Sequence, residues 1–127
     1  MRGLLDTSVF IAGEQGRVLA TDLLPDEAAI SVITIAELEL GVHMASSDEV
    51  RGRRLRTLQA LRETYVALPI DEAMVSAFAE IVAIARRARR RPRVQDTWIA
   101  ATARAHGIAV YSQKNDFDDL AVDVVRV

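Results

Sequence analysis

Short apolar segments alternate with longer amphipathic ones along this 127-residue chain, and that alternation limits the fold more than any other feature. The apolar segments are bounded by acids or turn residues and are typical of buried strands. The longer segments carry apolar side chains at spacings of three and four, as helices do. Strands that alternate with helices form parallel sheets with helices packed on both faces. The sequence therefore predicts an α/β fold of three layers around a short parallel sheet.

The expected elements can be placed approximately from these patterns. Predicted strands lie near residues 3–6, 28–32, 66–68, 108–112 and 122–127. Predicted helices begin at Thr7 and cover roughly 34–45, 48–64, 71–90 and 96–106. No repeat, low-complexity tract or long linker divides the chain, so we expect residues 1–127 to form a single domain.

The absence of cysteine excludes disulfides, thiolate metal sites and cysteine nucleophiles. It is also typical of proteins in a reducing compartment. No apolar run approaches the roughly 18 residues that a membrane-spanning helix needs, and Asp6 interrupts the N-terminal segment before a signal peptide could form. We therefore expect a soluble, cytoplasmic protein with no membrane partner.

Arginine is concentrated in two places although the net charge is only -2. Six arginines lie within residues 86–93 and four within residues 51–56. Guanidinium groups bind phosphate in a bidentate way that lysine cannot, which makes Arg89 and Arg93 candidate substrate-binding residues. The alternative is that arginine replaces lysine throughout this chain as a matter of composition and that both clusters are solvated helix faces.

Two acids follow predicted strands. Asp118 and Asp119 are interpreted as ordinary acids in the first turn of a helix. Asp6, in contrast, comes directly after the first strand, and Asp116 comes shortly after the strand over 108–112. In open parallel sheets the functional crevice lies beyond the carboxyl ends of the strands, so both carboxylates are expected there. For Asp6 the alternative is a helix N-cap, which is a common use of aspartate at this position.

Two further acids lie on apolar helix faces. Glu37 shares its face with Ile33, Leu40 and Met44, and a carboxylate on a buried stripe is costly unless it is paired or bound to a metal. Asp96 lies above an apolar stripe at the start of its helix, where the helix dipole favours an anion. An N-cap role is again the alternative for Asp96.

If these four acids converge, they need a cation. Two unit charges about 4 Å apart repel by roughly 4 kcal/mol at an effective dielectric of about 20. Carboxylate ligands without cysteine or suitably spaced histidine favour Mg²⁺ or Mn²⁺, and such ions promote phosphodiester hydrolysis. The predicted catalytic and metal-binding residues are Asp6, Glu37, Asp96 and Asp116.

The ordered set of motifs resembles that of PIN-domain ribonucleases, and most closely that of VapC toxins from bacterial toxin–antitoxin pairs. The resemblance extends over essentially the whole chain. The motifs that carry it are Leu4-Leu5-Asp6-Thr7-Ser8-Val9, Ile35-Ala36-Glu37-Leu38 with Gly41, Asp96-Thr97-Trp98-Ile99-Ala100-Ala101, His106-Gly107, and Ser112 with Asp116-Phe117.

The resemblance implies a single α/β/α PIN domain with Mg²⁺- or Mn²⁺-dependent endoribonuclease activity on structured RNA such as tRNA. It also implies inhibition by a cognate VapB-type antitoxin and a homodimer whose two sites open onto a shared basic groove. The four acids match the acidic quartet of the family. Ser112 matches a hydroxyl position that helps to organise the site and is a candidate for substrate binding.

The chain departs from the family pattern at Lys114, where many relatives carry a further acid. We expect its ammonium to lie close to Asp116 and to the crevice. There it either opposes a second metal ion or contacts a substrate phosphate, which makes Lys114 a candidate substrate-binding residue. The alternative function is a catalytically weakened PIN-fold protein that binds RNA or an antitoxin.

Other chemistries fit the sequence less well. A phosphatase with an aspartyl nucleophile needs a second aspartate two residues after the first, where this chain has Ser8. His43 and His106 lack the spacing of metal ligands. Trp98 is interpreted as packing against the core or a dimer surface, with stacking on a base as the alternative.

Overall fold

A parallel sheet forms the centre of the molecule. The computed structural model describes residues 2–127, and in that range five strands pair in the order β3-β2-β1-β4-β5. All four pairings are parallel. The strands are β1 (Arg2–Leu5), β2 (Glu27–Ser31), β3 (Val66–Leu68), β4 (Ala109–Ser112) and β5 (Val124–Arg126).

Five α-helices connect the strands and cover both faces of the sheet. They are α1 (Thr7–Glu14), α2 (Val32–His43), α3 (Asp48–Thr64), α4 (Glu72–Arg87) and α5 (Val94–His106), with a short 3-10 turn at Thr21–Leu23. No helix within residues 2–127 is long and apolar enough to cross a membrane.

Neighbouring residues of β1 belong to two different cores. Leu4 packs with the buried faces of α4 and α5, which include Ile81 and Ile99. Leu5 packs on the opposite side with Leu38 of α2 and residues from α1 and α3. Because successive strand residues point to opposite faces, this division gives one helical layer on each side of the sheet. The predicted three-layer α/β/α architecture is confirmed.

Local signals explain where the helices begin and end. Asp6, Ser31, Ser47 and Asp71 each occupy an N-cap position and accept a hydrogen bond from a backbone N–H in the first turn. Gly107 ends α5 with a φ of 64°, a left-handed conformation that favours glycine. Helices α1 and α2 begin directly after β1 and β2, whereas α3 and α5 each follow another helix.

Several predicted boundaries differ from the structure by two or more residues, including those of α2 and β5. Helix α4 ends at Arg87, and the chain then turns through Arg89 at a positive φ of 57°. Helix α5 begins at Val94, two residues before Asp96. The sequence places Asp118 and Asp119 in the first turn of a helix, but residues 116–119 form a turn that is not part of a helix.

The strand order places a crevice between β1 and β4. After β1, the next two strands lie on one side of it, with β2 paired to β1 and β3 at the edge. The last two strands lie on the other side, with β4 paired to β1 and β5 at the edge. Loops that leave β1 and β4 at their carboxyl ends therefore run in opposite directions and open a space between them. Asp6 follows β1 and Ser112 ends β4, so both lie at this point.

Candidate active site

Asp6 uses its two carboxylate oxygens differently. Oδ2 accepts hydrogen bonds from the Ser8 hydroxyl at 2.6 Å, the Ser112 hydroxyl at 2.9 Å and the Ser8 backbone N–H at 3.3 Å. Oδ1 is buried and has no hydrogen-bond partner among the described residues. Asp6 is therefore an N-cap through Oδ2, which caps α1. Its Oδ1 is available to bind a ligand, so the interpretation of Asp6 as a site residue also holds for part of the side chain.

Ser112 is buried and holds Asp6 through a hydrogen bond. Its exposed fraction is 0%, and its hydroxyl oxygen accepts a 2.9 Å hydrogen bond from the Lys114 backbone N–H while donating to Asp6. These contacts support a role for Ser112 in orienting Asp6, and its part in substrate binding stays a prediction. Its small hydroxyl fits the buried space between the ends of β1 and β4.

Glu37 is held by a threonine from the beginning of α1. The Thr7 hydroxyl donates to Glu37 Oε1 at 2.7 Å and lies 3.1 Å from the Thr34 hydroxyl. Burial raises the pKa of Glu37, and the charges of Asp6 and Asp96 act in the same direction. The Thr7 hydrogen bond and the charge of Lys114 oppose this shift and favour the carboxylate.

The apolar face that carries Glu37 is less buried than the sequence predicts. Leu40 and Met44 are 60% and 72% exposed, whereas the buried positions of α2 are Thr34, Leu38 and Val42. Glu37 therefore lies beside the buried stripe of α2 and not within it. Its proximity to other acids, and not its burial alone, is what distinguishes it from a surface glutamate.

Asp96 is buried and paired through one oxygen only. It is 3% exposed, and its Oδ1 accepts a 2.9 Å hydrogen bond from the Lys114 ammonium. Its Oδ2 has no hydrogen-bond partner among the described residues. Arg93, and not Asp96, occupies the N-cap position of α5, so the N-cap alternative for Asp96 is wrong. Burial raises the pKa of Asp96, and the interaction with Lys114 opposes that shift.

Lys114 lies among the acids. Its Nζ is 2.9 Å from Asp96 Oδ1, 4.0 Å from Asp116 Oδ2 and 5.5 Å from the centre of the Phe117 ring. Burial alone would lower the pKa of Lys114, but the hydrogen bond that it donates to Asp96 and the charges of the neighbouring acids outweigh burial and raise it. The ammonium therefore stays charged and neutralises part of the acidic cluster.

The four predicted acids share one electrostatic environment without forming a complete metal site. Asp6 and Asp116 both influence Asp96, while Asp6 and Asp96 both influence Glu37. Yet no group of three or more His, Asp or Glu side chains in residues 2–127 is arranged to hold a metal ion. Lys114 lies 2.9 Å from Asp96 and 4.0 Å from Asp116 as a counter-ion, and the prediction that all four acids bind one metal ion stays a prediction.

The residues nevertheless fit a hard divalent cation in their chemistry. Asp6 Oδ1 and Asp96 Oδ2 are the two buried side-chain polar atoms of the described chain that lack a hydrogen-bond partner. An unpaired buried carboxylate oxygen is costly, and coordination to Mg²⁺ or Mn²⁺ would satisfy it. These two oxygens are the atoms on which such an ion would be held.

Four of the six arginines in residues 86–93 line a groove. Its volume is about 670 Å³, and we refer to it as the arginine groove; it is lined by Phe78, Val82, Arg86, Arg89, Arg90, Arg91, Pro92, Val94 and Thr97. A smaller space of about 160 Å³ touches Arg90, Arg91 and Asp116, so the basic and acidic surfaces are adjacent. Arg89 lines the groove, but Arg93 is not part of its lining.

Trp98 packs within the protein, as the sequence interpretation expects. Its ring stacks on Phe78 with a centroid separation of 3.8 Å and an interplanar angle of 20°. This stack covers one face of the indole and joins α4 to α5. The alternative in which Trp98 stacks on a base has no support from this arrangement.

Sequence reasoning missed two hydroxyl residues that organise the site. Ser8 donates to Asp6 and accepts a 3.0 Å hydrogen bond from the Gln113 backbone, and Thr7 donates to Glu37. Both residues lie in a sequence motif, but the sequence predicts no contact with the acids for either. The signal that could have identified them is the run Asp6-Thr7-Ser8, because two hydroxyls directly after a buried acid can serve different carboxylates.

Comparison with known proteins assigns this arrangement to a family. The PIN domain family model matches residues 3–123. Ribonuclease VapC4 of Mycobacterium tuberculosis is 47% identical over 127 residues, which covers 99% of this chain and 97% of the relative. Ribonuclease VapC5 of the same organism is 40% identical over 129 residues, covering 98% and 95%.

The fold agrees with a solved structure. The crystal structure of VapBC-5 from M. tuberculosis, a member of the VapBC family of toxin–antitoxin systems, superimposes with a TM-score of 0.88 and 37% identity. The alignment covers 99% of this chain and 97% of that one. The resemblance inferred from the sequence motifs is confirmed, and the chain belongs to the PIN-domain family, among the VapC ribonucleases.

Proposed function

We propose that this chain is a divalent-metal-dependent endoribonuclease toxin that hydrolyses phosphodiester bonds in structured, tRNA-like RNA. The observation that carries the proposal is that the two carboxylate oxygens of Asp6 and of Asp96 differ in their hydrogen bonding. Each buried carboxylate has one oxygen held by the protein and one without a partner in the described chain. Two unpaired carboxylate oxygens at the crevice of a parallel sheet suit a cation that acts on phosphate.

The chain's own residues would hold and position the reacting groups. Asp6 and Asp96 would bind Mg²⁺ or Mn²⁺ through their free oxygens, with Glu37 and Asp116 completing the acidic surroundings. When bound, the ion supplies a water of lowered pKa and stabilises charge on a phosphoryl oxygen. Thr7 fixes the orientation of Glu37, and Ser8 and Ser112 fix that of Asp6.

The arginine groove would position the RNA backbone. Phosphate contacts fix the place and direction of a nucleic acid without reading its bases. Arg90 and Arg91 lie beside Asp116, so a strand whose phosphates contact these arginines would pass the acids. Arg89 lines the same groove, and Arg93 lies at the adjacent start of α5.

A VapB-type antitoxin is the proposed partner. The relative in the VapBC-5 structure belongs to a toxin–antitoxin family, and this chain matches it over 99% of its length. We also propose that residues 1–127 act as one cytoplasmic domain that forms a homodimer with a shared basic groove. Size measurements with and without the antitoxin would test the assembly.

The decisive experiment compares metal-dependent cleavage of purified tRNA by wild type and Asp6→Asn. Wild type is expected to cut the tRNA with either Mg²⁺ or Mn²⁺ and to stop cutting in excess EDTA. Asp6→Asn is expected to lose activity with either ion. Asp123→Asn is the matched control, because Asp123 is exposed and precedes β5 at the opposite edge of the sheet. Equal cleavage by wild type and Asp6→Asn would contradict the proposal.

A second candidate function is a weakened PIN-fold protein that binds RNA or an antitoxin without cutting. The contact between Lys114 and Asp96 favours it, because an internal ammonium can substitute for the charge of a metal ion. This function predicts RNA binding in EDTA that is unchanged by Mn²⁺, together with no cleavage at any metal concentration.

A further inference from the structure

The Lys114 ammonium lies where a second cation would have to lie. It approaches Asp96 Oδ1 to 2.9 Å and Asp116 Oδ2 to 4.0 Å, so it contacts two of the four acids from one position. The side chain is partly buried, with 32% of it exposed. A charge at this position interacts with the acids much more strongly than a fully solvated lysine would.

The backbone of Lys114 is tied to the same cluster. Its N–H donates to the Ser112 hydroxyl, which in turn donates to Asp6. Its side chain also lies above the Phe117 ring, which is fully buried and fixed in the core. The lysine is therefore held at both its backbone and its ammonium end, and it is not a mobile surface side chain.

The two carboxylate oxygens of Asp96 differ in their contacts. Oδ1 is taken by Lys114, and Oδ2 is buried without a partner in the described chain. Asp6 Oδ1 is likewise without a partner. The Lys114 ammonium is thus one cation of the cluster and belongs to the protein itself. The two unpaired oxygens are candidate ligands for one further cation.

We propose that Lys114 is a positioning residue that acts as a tethered cation and restricts the site to a single divalent ion, held by Asp6 Oδ1 and Asp96 Oδ2. This inference rests on the proposed metal-dependent function. A second divalent ion near Asp116 would have to displace the ammonium or bind beside it. Like charges a few ångströms apart repel strongly in a partly buried site, so the second site stays empty.

The test is Mn²⁺ binding by titration calorimetry to the metal-free protein and its Lys114 variants. Wild type is expected to bind one Mn²⁺. Lys114→Asp is expected to bind two, and Lys114→Gln is expected to bind the first ion at least tenfold more tightly than wild type. Arg56→Asp is the matched control, since it reverses an exposed charge on α3 and should leave stoichiometry and affinity unchanged.

Thermal melts provide a second reading that does not depend on cleavage. In EDTA, Lys114→Gln is expected to melt below wild type because the acids lose their internal counter-ion. In saturating Mn²⁺ it should gain a larger upward shift than wild type, since an ion that binds only the folded state stabilises it. A purely structural lysine would lower both melting temperatures equally.

The outcomes separate this inference from the proposed function. Two Mn²⁺ ions of similar affinity in wild type would overturn the tethered-cation role and leave metal-dependent cleavage intact. So would unchanged Mn²⁺ affinity and stoichiometry in both Lys114 variants. Absence of Mn²⁺ binding in wild type and in both variants would overturn the proposed function and the role of Lys114 with it.

Discussion

The Ser112 hydroxyl donates a 2.9 Å hydrogen bond to Asp6 Oδ2, which joins the end of β4 to the end of β1 across 106 positions of the sequence. Neither residue is exposed to solvent. The orientation of the first acid of the chain is thus set by one of its last strands. Substitution at Ser112 should consequently affect stability as well as activity.

We expect Ser112→Ala to lower the free energy of unfolding by about 1–3 kcal/mol, because a buried carboxylate oxygen loses one of its donors. Urea denaturation of the metal-free protein measures this change. Ser46→Ala removes a hydroxyl at an exposed position and should stay within about 0.5 kcal/mol of wild type. Equal stability of the two variants would show that Ser8 alone suffices to hold Asp6.

Gly3 is expected to tolerate no side chain. A Cβ at this position of β1 would lie 2.2 Å from Cε1 of the buried Tyr111 ring and 3.0 Å from Pro25 Cβ. Gly3→Ala should therefore cost about 1–3 kcal/mol through overpacking. Gly13→Ala is the control, because a Cβ there meets nothing within 4 Å and alanine favours a helix over glycine by roughly 0.5–1 kcal/mol. Thermal melts that ranked the two variants in the opposite order would refute the packing argument.

Glu37→Gln is expected to stabilise the metal-free protein at neutral pH. Burial raises the pKa of Glu37 in the folded state, so folding favours its protonated form. Stability then falls as the pH rises from the usual pKa of glutamate through the raised value, and at pH 7 the ionised side chain is a cost. The variant should melt a few degrees above wild type at pH 7 in EDTA, and the difference should shrink towards pH 4.

The control for this pH effect is Glu39→Gln on the same helix. Glu39 is half exposed and lies 3.3 Å from Arg62, so its charge is solvated and paired. Its removal should not raise the melting temperature at pH 7. A gain for Glu39→Gln as large as that for Glu37→Gln would attribute the effect to net charge and not to burial.

Removal of Arg89 and Arg91 should weaken RNA binding without unfolding the protein. Each lost phosphate contact reduces the slope of log affinity against log salt by roughly one unit. The double variant Arg89→Ala with Arg91→Ala should flatten that slope by up to about two units and change stability by no more than about 1 kcal/mol. The same double change at Arg51 and Arg56 of α3 is the control. If both double variants kept the wild-type slope, arginine would be a compositional preference of this chain.

An inhibitory antitoxin is expected to compete with metal by delivering a basic side chain to the acids. A guanidinium binds carboxylates strongly and would take the place of the ion. Antitoxin affinity should fall as Mn²⁺ rises, and it should fall in Asp116→Asn. If antitoxin affinity changed neither with Mn²⁺ concentration nor in Asp116→Asn, the antitoxin would have to block RNA access at another surface.

Much of the fold could be predicted because strand and helix signals are local. Asp6, Ser47 and Gly107 mark element ends through hydrogen bonds or φ values that depend on near neighbours. The segment after β4 was predicted less well. Its acids suggest a helix, but Asp118 is held by a 3.0 Å ion pair with Arg126 of β5, a contact between elements that no local pattern contains.

The sequence predicts the residues of the site better than the hydrogen bonds between them. The placement of Asp6 and Asp96 at the crevice follows from strand ends and helix periodicity. Which oxygen of each acid is free depends on Ser8, Ser112 and Lys114, which approach only in the folded chain. Sequence spacing cannot specify such pairings, because residues of one cluster are more than a hundred positions apart.

The central position of β1 in the sheet also determines when the site can exist during synthesis. A nascent chain that ends at residue 111 already contains Asp6, Glu37 and Asp96, but it lacks Ser112 and Lys114, which orient two of them. We therefore expect Asp6 and Asp96 to take their final orientation only after β4 has paired with β1.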